Sequence, residues 1–226
     1  MTTFIPRVRD LFDLPAHRLA PDGVSRLPDR LIPRPGTITL ITGPSGGGKT
    51  QLLHAIRQQT DEHITWIDPA SIELPDEPVI DCVCAMVGGS SAEQSDEVAI
   101  VRALELLSRV GLAEAWTYLS RPRELSDGQR WRLILAMMIA RAAGASSAAV
   151  IAMDEFAALL DRVTAIVVAR ALRKLIDRTP TLAAIVVTSH DDLARALMPD
   201  VSVVCDFGET RVVIHTTFPE SPAPEG

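Results

Sequence analysis

Lysine is nearly absent from this chain. Of its 22 basic residues only Lys49 and Lys174 are lysines, and arginine serves everywhere else. A lysine inside a glycine-rich loop therefore reads as chemically required rather than compositional. Aromatic residues make up 4%, so the core must be built from Leu, Ile, Val, Ala and Met. The three cysteines, Cys82, Cys84 and Cys205, are too few and too scattered for a disulfide framework or a four-ligand zinc site. They are expected as buried free thiols. No uninterrupted apolar run reaches the ~18 residues needed to span a bilayer, and the first ten residues lack the apolar core of a signal peptide. The expected location is cytoplasmic. Positive charge is also in deficit: 22 basic against 29 acidic residues give a formal net charge of −7. That argues against a broadly basic nucleic-acid-binding surface and leaves room only for a local strip, with Arg121, Arg123, Arg130 and Arg132 as the candidates. Neither an internal repeat nor sustained heptads are present.

What is present suits one domain. The chain has 226 residues, 47% of them hydrophobic, enough for one good core. Residues 1–36 carry six prolines and read as an extended lead-in lying over the body of the domain, from which Phe12 or His17 would stack on a base. The body spans 37–216. Residues 217–226, rich in Pro, Glu, Ser and Gly, read as a disordered tail. Within the body, strands are expected at 37–42, 64–67, 79–83, 150–153 and 182–188, with a closing hairpin from 201–205 and 211–215. Helices are expected after residue 50, with Leu52, Leu53 and Ile56 on one face, and over 92–110, with Val98, Val101, Leu104, Leu107 and Val110 on one face and Gly111 at its end. Further helices should run from Asp127 to Ala143 and over 163–176. Strands alternating with helices predict an α/β fold with a mainly parallel sheet.

The chemistry begins at GPSGGGKT: Gly43, Pro44, Ser45, Gly46, Gly47, Gly48, Lys49 and Thr50. It follows an apolar, β-branched run and precedes a helical pattern, the strand, loop, helix context of a phosphate-binding loop. The glycines let backbone N–H groups turn around a triphosphate, and the helix N-terminus adds its positive dipole end. Lys49 would reach the β- and γ-phosphates, and the Thr50 hydroxyl would ligate Mg²⁺. In AAVIAMDE, residues 148–155, two acids at the end of an apolar strand are costly unless something cationic sits there. Asp154 is the expected magnesium partner opposite Thr50, and Glu155 would polarise the water that attacks the γ-phosphate. The strand at 182–188 delivers His190 to the same edge, where it would hydrogen-bond the γ-phosphate. Ser126 is a good N-cap and Gly128 admits an anion, so a second phosphate-binding helix start lies there. Two chains related by a two-fold axis bring both helix starts to one triphosphate more easily than one chain does.

These motifs, in this order, resemble an ATP-binding cassette (ABC) ATPase domain, a P-loop NTPase fold. The Walker A stretch is 43–50, the signature Leu125-Ser126-Asp127-Gly128-Gln129, the Walker B stretch ends at Glu155, the switch histidine is His190, and Leu159-Leu160-Asp161 matches the D-loop. The resemblance implies two ATP molecules bound head to tail by two copies, with Ser126, Gly128 and Gln129 of one copy facing the nucleotide of the other. It also implies a Q-loop glutamine at the metal, for which Gln94 is the candidate. The signature carries Asp127 where the family usually has glycine, a carboxylate that an arginine such as Arg123 or Arg130 would have to offset. The helical lobe, about 92–140, looks shortened relative to importer and exporter subunits. In this the chain is similar to compact soluble ABC ATPases, some of them fused to predicted acetyltransferase domains. Three functions follow. One is an ATP-dependent homodimer acting on an unidentified soluble protein or nucleic-acid partner, which the short lobe favours over a membrane partner. The others are the nucleotide-binding subunit of a membrane transporter and a weakly hydrolysing switch.

Overall fold

Short apolar runs bounded by Gly, Pro or Thr become strands because both their faces find cover. The computed structural model describes residues 31–88, 96–206 and 209–215. Its strands are β1 (Ile38–Thr42), β2 (Thr65–Ile67), β3 (Ala149–Met153), β4 (Leu182–Val187), β5 (Val201–Asp206) and β6 (Glu209–Ile214). They form one six-stranded sheet in the order β2-β3-β4-β1-β5-β6. All pairings are parallel except β5 with β6, which closes the edge as the expected antiparallel hairpin. β1, β3 and β4 are buried along their whole length, as strands of a parallel sheet covered on both faces must be.

The helices are α1 (Lys49–Gln59), α2 (Val79–Val87), α3 (Asp96–Arg109), α4 (Ala115–Leu119), α5 (Asp127–Ala143), α6 (Arg162–Arg178) and α7 (Ala194–Leu197). Side chains alternate between two cores with the period of a strand. Leu182, Ala184 and Val186 of β4 face one core with Leu133 of α5 and Leu172 of α6. Ala183, Ile185 and Val187 face the other with Leu52, Leu53 and Ile56 of α1. Thus α1 and α5 lie on opposite faces of the sheet. Leu31, 2% exposed, joins the α1 side; the rest of the lead-in before it, including Phe12 and His17, lies outside the described residues, as does the tail from 216 onward.

Two expectations are corrected. The segment at 79–83, expected as a strand, is the start of α2. Its β-branched residues imitate a strand, but the apolar run continues to Val87, and Pro78 precedes it with a fixed φ suited to a helix start. Val79, Cys82 and Val83, at i, i+3 and i+4, form the buried stripe that packs on α3 and α5. The buried face of α3 is also rotated. It uses Ala103, Leu106 and Leu107, with Val110 beyond, and leaves Val98 and Val101 at 41% and 51% exposed. The buried positions 103, 106, 107 and 110 form one stripe at i, i+3, i+4 and i+7, and Val98 and Val101 fall off it. Gly111 ends this segment as expected, in left-handed backbone at φ 82.

The amino end of the sheet is closed by one arginine. Arg173 of α6 donates to the Asp200 carboxylate at 2.8 Å and to the Gly36 carbonyl at 3.2 Å. The same Asp200 oxygen accepts the Ile38 N–H at 2.8 Å. The starts of β1 and β5 are thereby tied to the helix that covers them.

Candidate functional site

The strand order β3-β4-β1 sets the site. Parallel registers run Met153 against Val186 and Val187 against Ile41, so the three carboxyl ends lie side by side. The glycine-rich loop leaves β1, Asp154 and Glu155 leave β3, and His190 follows β4 between them. Ligands gather at such an edge of a parallel sheet.

Residues 43–48 form an open turn, with Pro44, Ser45 and Gly46 exposed. Gly43 sits at φ 139, and a Cβ there would lie 2.0 Å from the Cys205 carbonyl oxygen of β5. No other residue fits that position. Gly48, at φ 92, is the residue from which α1 starts. Lys49 folds back over the loop, its Nζ donating to the Gly43 and Pro44 carbonyls at 2.8 Å each. An ammonium held by two neutral carbonyls stays available to an anion that offers full charge. Behind the loop, burial pushes the Cys205 thiol above its ordinary pKa, with the Lys49 charge opposing that shift. Cys82 and Cys84 are raised in the same way, burial first. All three cysteines are free.

Thr50 Oγ1 donates to Asp154 Oδ2 at 2.8 Å, which brings the two expected magnesium ligands together across the sheet edge. The other Asp154 oxygen accepts the Glu155 N–H at 3.0 Å. A hydroxyl beside a carboxylate is a donor set that fits Mg²⁺. Among the described residues no cluster of three or more His, Cys, Asp or Glu forms a metal cage. Gln94 lies outside the described residues.

Glu155 is exposed and sits in left-handed backbone at φ 53, and Ala157 follows at φ 60. Phe156 between them is fully buried. Its N–H donates to the Val187 carbonyl at 2.8 Å, and its own carbonyl accepts from Thr188 Oγ1 at 3.2 Å. Its ring meets Trp131 of α5 edge-on, centroids 5.3 Å apart at 76°. His190 is exposed and donates its N–H to Thr188 Oγ1 at 3.1 Å. Phe156, Thr188 and Trp131 escaped the sequence reading because each looks like core; only their contacts reveal them.

Ser126 caps α5 as expected, in a capping box. Its Oγ accepts the Gln129 N–H at 3.3 Å while Gln129 Oε1 accepts the Ser126 N–H at 3.0 Å. The Gln129 side chain is thus engaged at its own helix start. A Cβ at Gly128 would lie 3.1 Å from the Leu159 carbonyl, so this helix start packs against the segment after β3. Asp127 pairs with Arg130 at 3.6 Å. Arg123 instead pairs with Asp76 at 2.9 Å, joined there by Arg121. Arg132 donates to the Gly111 and Gly128 carbonyls. The four arginines named as candidates for a local basic strip thus make ion pairs and carbonyl contacts within the chain. Further along, Asp161 caps α6, and Arg162 pairs with Asp192 just beyond His190.

Among the described residues no helix is long and apolar enough to cross a membrane. The family model for the ABC transporter matches residues 30–157. The L-cystine transport system ATP-binding protein TcyN of Escherichia coli K12 is 27% identical over 228 residues, covering 84% of this chain and 85% of the relative. The lipoprotein-releasing system ATP-binding protein LolD of Novosphingobium aromaticivorans is 30% identical over 189 residues, covering 71% and 79% respectively. The fold is similar to the dimeric ATP-binding cassette MJ0796 in a post-hydrolysis state bound to ADP and Pi, with a TM-score of 0.61 at 21% identity over 82% of this chain and 88% of that one. A family model over more than half of the chain, a curated relative at 30% identity and this sheet agree: the chain belongs to the ABC transporter family and is an ABC-type ATPase.

Proposed function

We propose that the chain hydrolyses ATP as an ATP-closed homodimer, each nucleotide lying between the loop Gly43 to Thr50 of one copy and the Ser126 helix start of the other. The observation that carries this is the placement of α1 and α5 on opposite faces of the sheet. Two anion-binding helix starts so placed do not converge on one triphosphate within a chain, and a two-fold pair brings them together. The dimeric state of the similar cassette supports the same arrangement.

In this reading the Lys49 ammonium binds the β- and γ-phosphates, and Thr50 and Asp154 would hold Mg²⁺, whose chemistry is to neutralise phosphate charge. Glu155 accepts a proton from the attacking water, and His190 hydrogen-bonds the γ-phosphate. Ser126 and Gly128 close the site from the second copy. Arg130 offsets Asp127, so a carboxylate in the signature is compatible with a bound anion. The test is Glu155→Gln with ATP and Mg²⁺. Light scattering behind size exclusion should give a dimer that reverts to monomer without nucleotide, and monomer under both conditions contradicts the reading.

The work done by hydrolysis has two readings. A soluble, cytoplasmic protein or nucleic-acid partner fits the compact helical lobe, in which, among the described residues, α3, the short α4 and a 3-10 turn at Pro122–Glu124 lie between α2 and α5. A membrane-embedded transport partner is favoured by the two relatives, ATP-binding proteins of a transport system and of a releasing system. Trp116 and Leu119 of α4, 82% and 64% exposed, offer apolar contact to either. Pulldown of tagged Glu155→Gln with ATP, from cytosol and from detergent-solubilised membranes in parallel, separates them.

A further inference from the structure

We propose that Thr188 is a positioning residue for hydrolysis, holding Glu155 and His190 in one frame through a single hydroxyl. The inference rests on the reading above, in which those two side chains act at the γ-phosphate. Thr188 is 1% exposed, a polar side chain deep at the end of β4. Its Oγ1 donates to the Phe156 carbonyl at 3.2 Å and accepts the His190 N–H at 3.1 Å. A hydroxyl has one proton to give and lone pairs to receive, so one atom makes both bonds. Its own N–H donates to the Ile41 carbonyl at 3.0 Å, which fixes it to the strand that feeds the phosphate loop.

The geometry around Phe156 explains why such an anchor is needed. Glu155 and Ala157 hold left-handed φ values of 53° and 60°, conformations that side chains other than glycine resist and that persist only where the surroundings over-determine them. Phe156 supplies that over-determination. Its N–H is held by Val187, its carbonyl by Thr188 and its buried ring by Trp131 at the start of α5. Release of the Thr188 bond frees the carbonyl of the residue next to Glu155 and, in the same event, the N–H of His190. The two groups then lose their common register while the phosphate loop and the Thr50–Asp154 bond remain.

Thr188→Val keeps the shape and removes the hydroxyl. Its kcat for ATP should fall about 10- to 100-fold, the scale of misplacement by roughly an ångström, with KM within about twofold of the parent on the same argument. Thr188→Ser, which keeps the hydroxyl, should recover most of the rate. In a Glu155→Gln background Thr188→Val should lower the residual rate by a smaller factor than it lowers the parent's, because one of the two groups it positions is already gone and only His190 is left to misplace. A Thr188→Val kcat within twofold of the parent overturns the inference, and so does a Thr188→Ser rate as low as that of the valine variant. Should the valine variant fail to fold, Thr188→Cys is read by the same criteria, since a thiol is too poor a donor to hold both bonds. Failure of the underlying reading looks different: Glu155→Gln would then hydrolyse ATP at the parental rate, whatever position 188 holds.

Discussion

The two ends of one parallel sheet are built to opposite specifications. At the carboxyl end the chain tolerates left-handed Glu155 and Ala157, an exposed loop and an ammonium resting on two carbonyls. At the amino end Arg173, with its side chain 12% exposed, binds Asp200, Asp177 and the Gly36 carbonyl, and Asp200 binds the Ile38 N–H. One end keeps charged groups available to a ligand; the other spends them on the fold. The difference teaches where each kind of substitution should register: strain beside unspent charge marks function, and charge paired within the fold marks stability.

Crossing a readout of activity with one of stability breaks this comparison if it is wrong. Lys49→Ala should lower steady-state phosphate release by about 100-fold or more, because it removes a preorganised charge from the phosphoryl group. Its unfolding temperature without nucleotide should stay within a few degrees of the parent. Arg173→Met should do the reverse. Breaking an ion pair this well buried costs about 2–4 kcal/mol, allowing for its partial exposure, and at this size lowers Tm by roughly 5–15 °C. Activity per folded molecule, measured well below the transition, should be unchanged. If Lys49→Ala unfolds the chain, or Arg173→Met abolishes hydrolysis at full stability, the two ends are not so divided.

The carboxyl end was also the more legible in sequence, although structurally it is the less regular. Its chemistry demands particular residue types, and Gly43 to Thr50, Asp154 and the Ser126 N-cap are recognisable without coordinates. The fold followed where strands are buried on both faces, because runs such as Leu182–Val187 admit few other solutions. It failed where local preference and tertiary packing disagree. Val79–Val87 carries the β-branched content of a strand and is a helix, because α3 and α5 cover the single stripe that Val79, Cys82 and Val83 form. The Thr188 bond to Phe156 spans 32 residues, and no local pattern announces it. Left-handed Glu155 and Ala157 were equally invisible, since that conformation is normally signalled by glycine.

A smaller effect sharpens the same contrast. Met198 also lies in left-handed backbone, at φ 45, but it is 68% exposed and caps α7 beside Arg173, at the end assigned to stability. Its bonds there, N–H to the Ala194 carbonyl and carbonyl from Arg173, are backbone bonds that a glycine would keep. Met198→Gly should therefore raise stability by about 1 kcal/mol, the cost of a left-handed side chain, read as a higher urea midpoint with unchanged slope. Activity should be unaffected. A glycine placed at Ala157, whose strain we assign to function, should lower hydrolysis without that gain.

The smallest effect is a dependence on pH. Asp161 caps α6 in the segment after β3, and the hydroxyl and N–H of Thr164 hold its carboxyl below the ordinary carboxylate range. A pKa lower in the folded than in the unfolded chain means that the unfolded chain binds more protons as pH falls. The contribution is therefore fully present above the unfolded carboxylate value, and it is lost as pH falls through the lower folded one. In Asp161→Asn, which still caps but cannot titrate, the stability profile should be flatter than the parent's below about pH 4 and parallel to it at neutral pH. Because the side chain is fully exposed, salt should shrink even this difference. Identical acid limbs for parent and variant would remove Asp161 from the groups that tie the molecule's stability to pH.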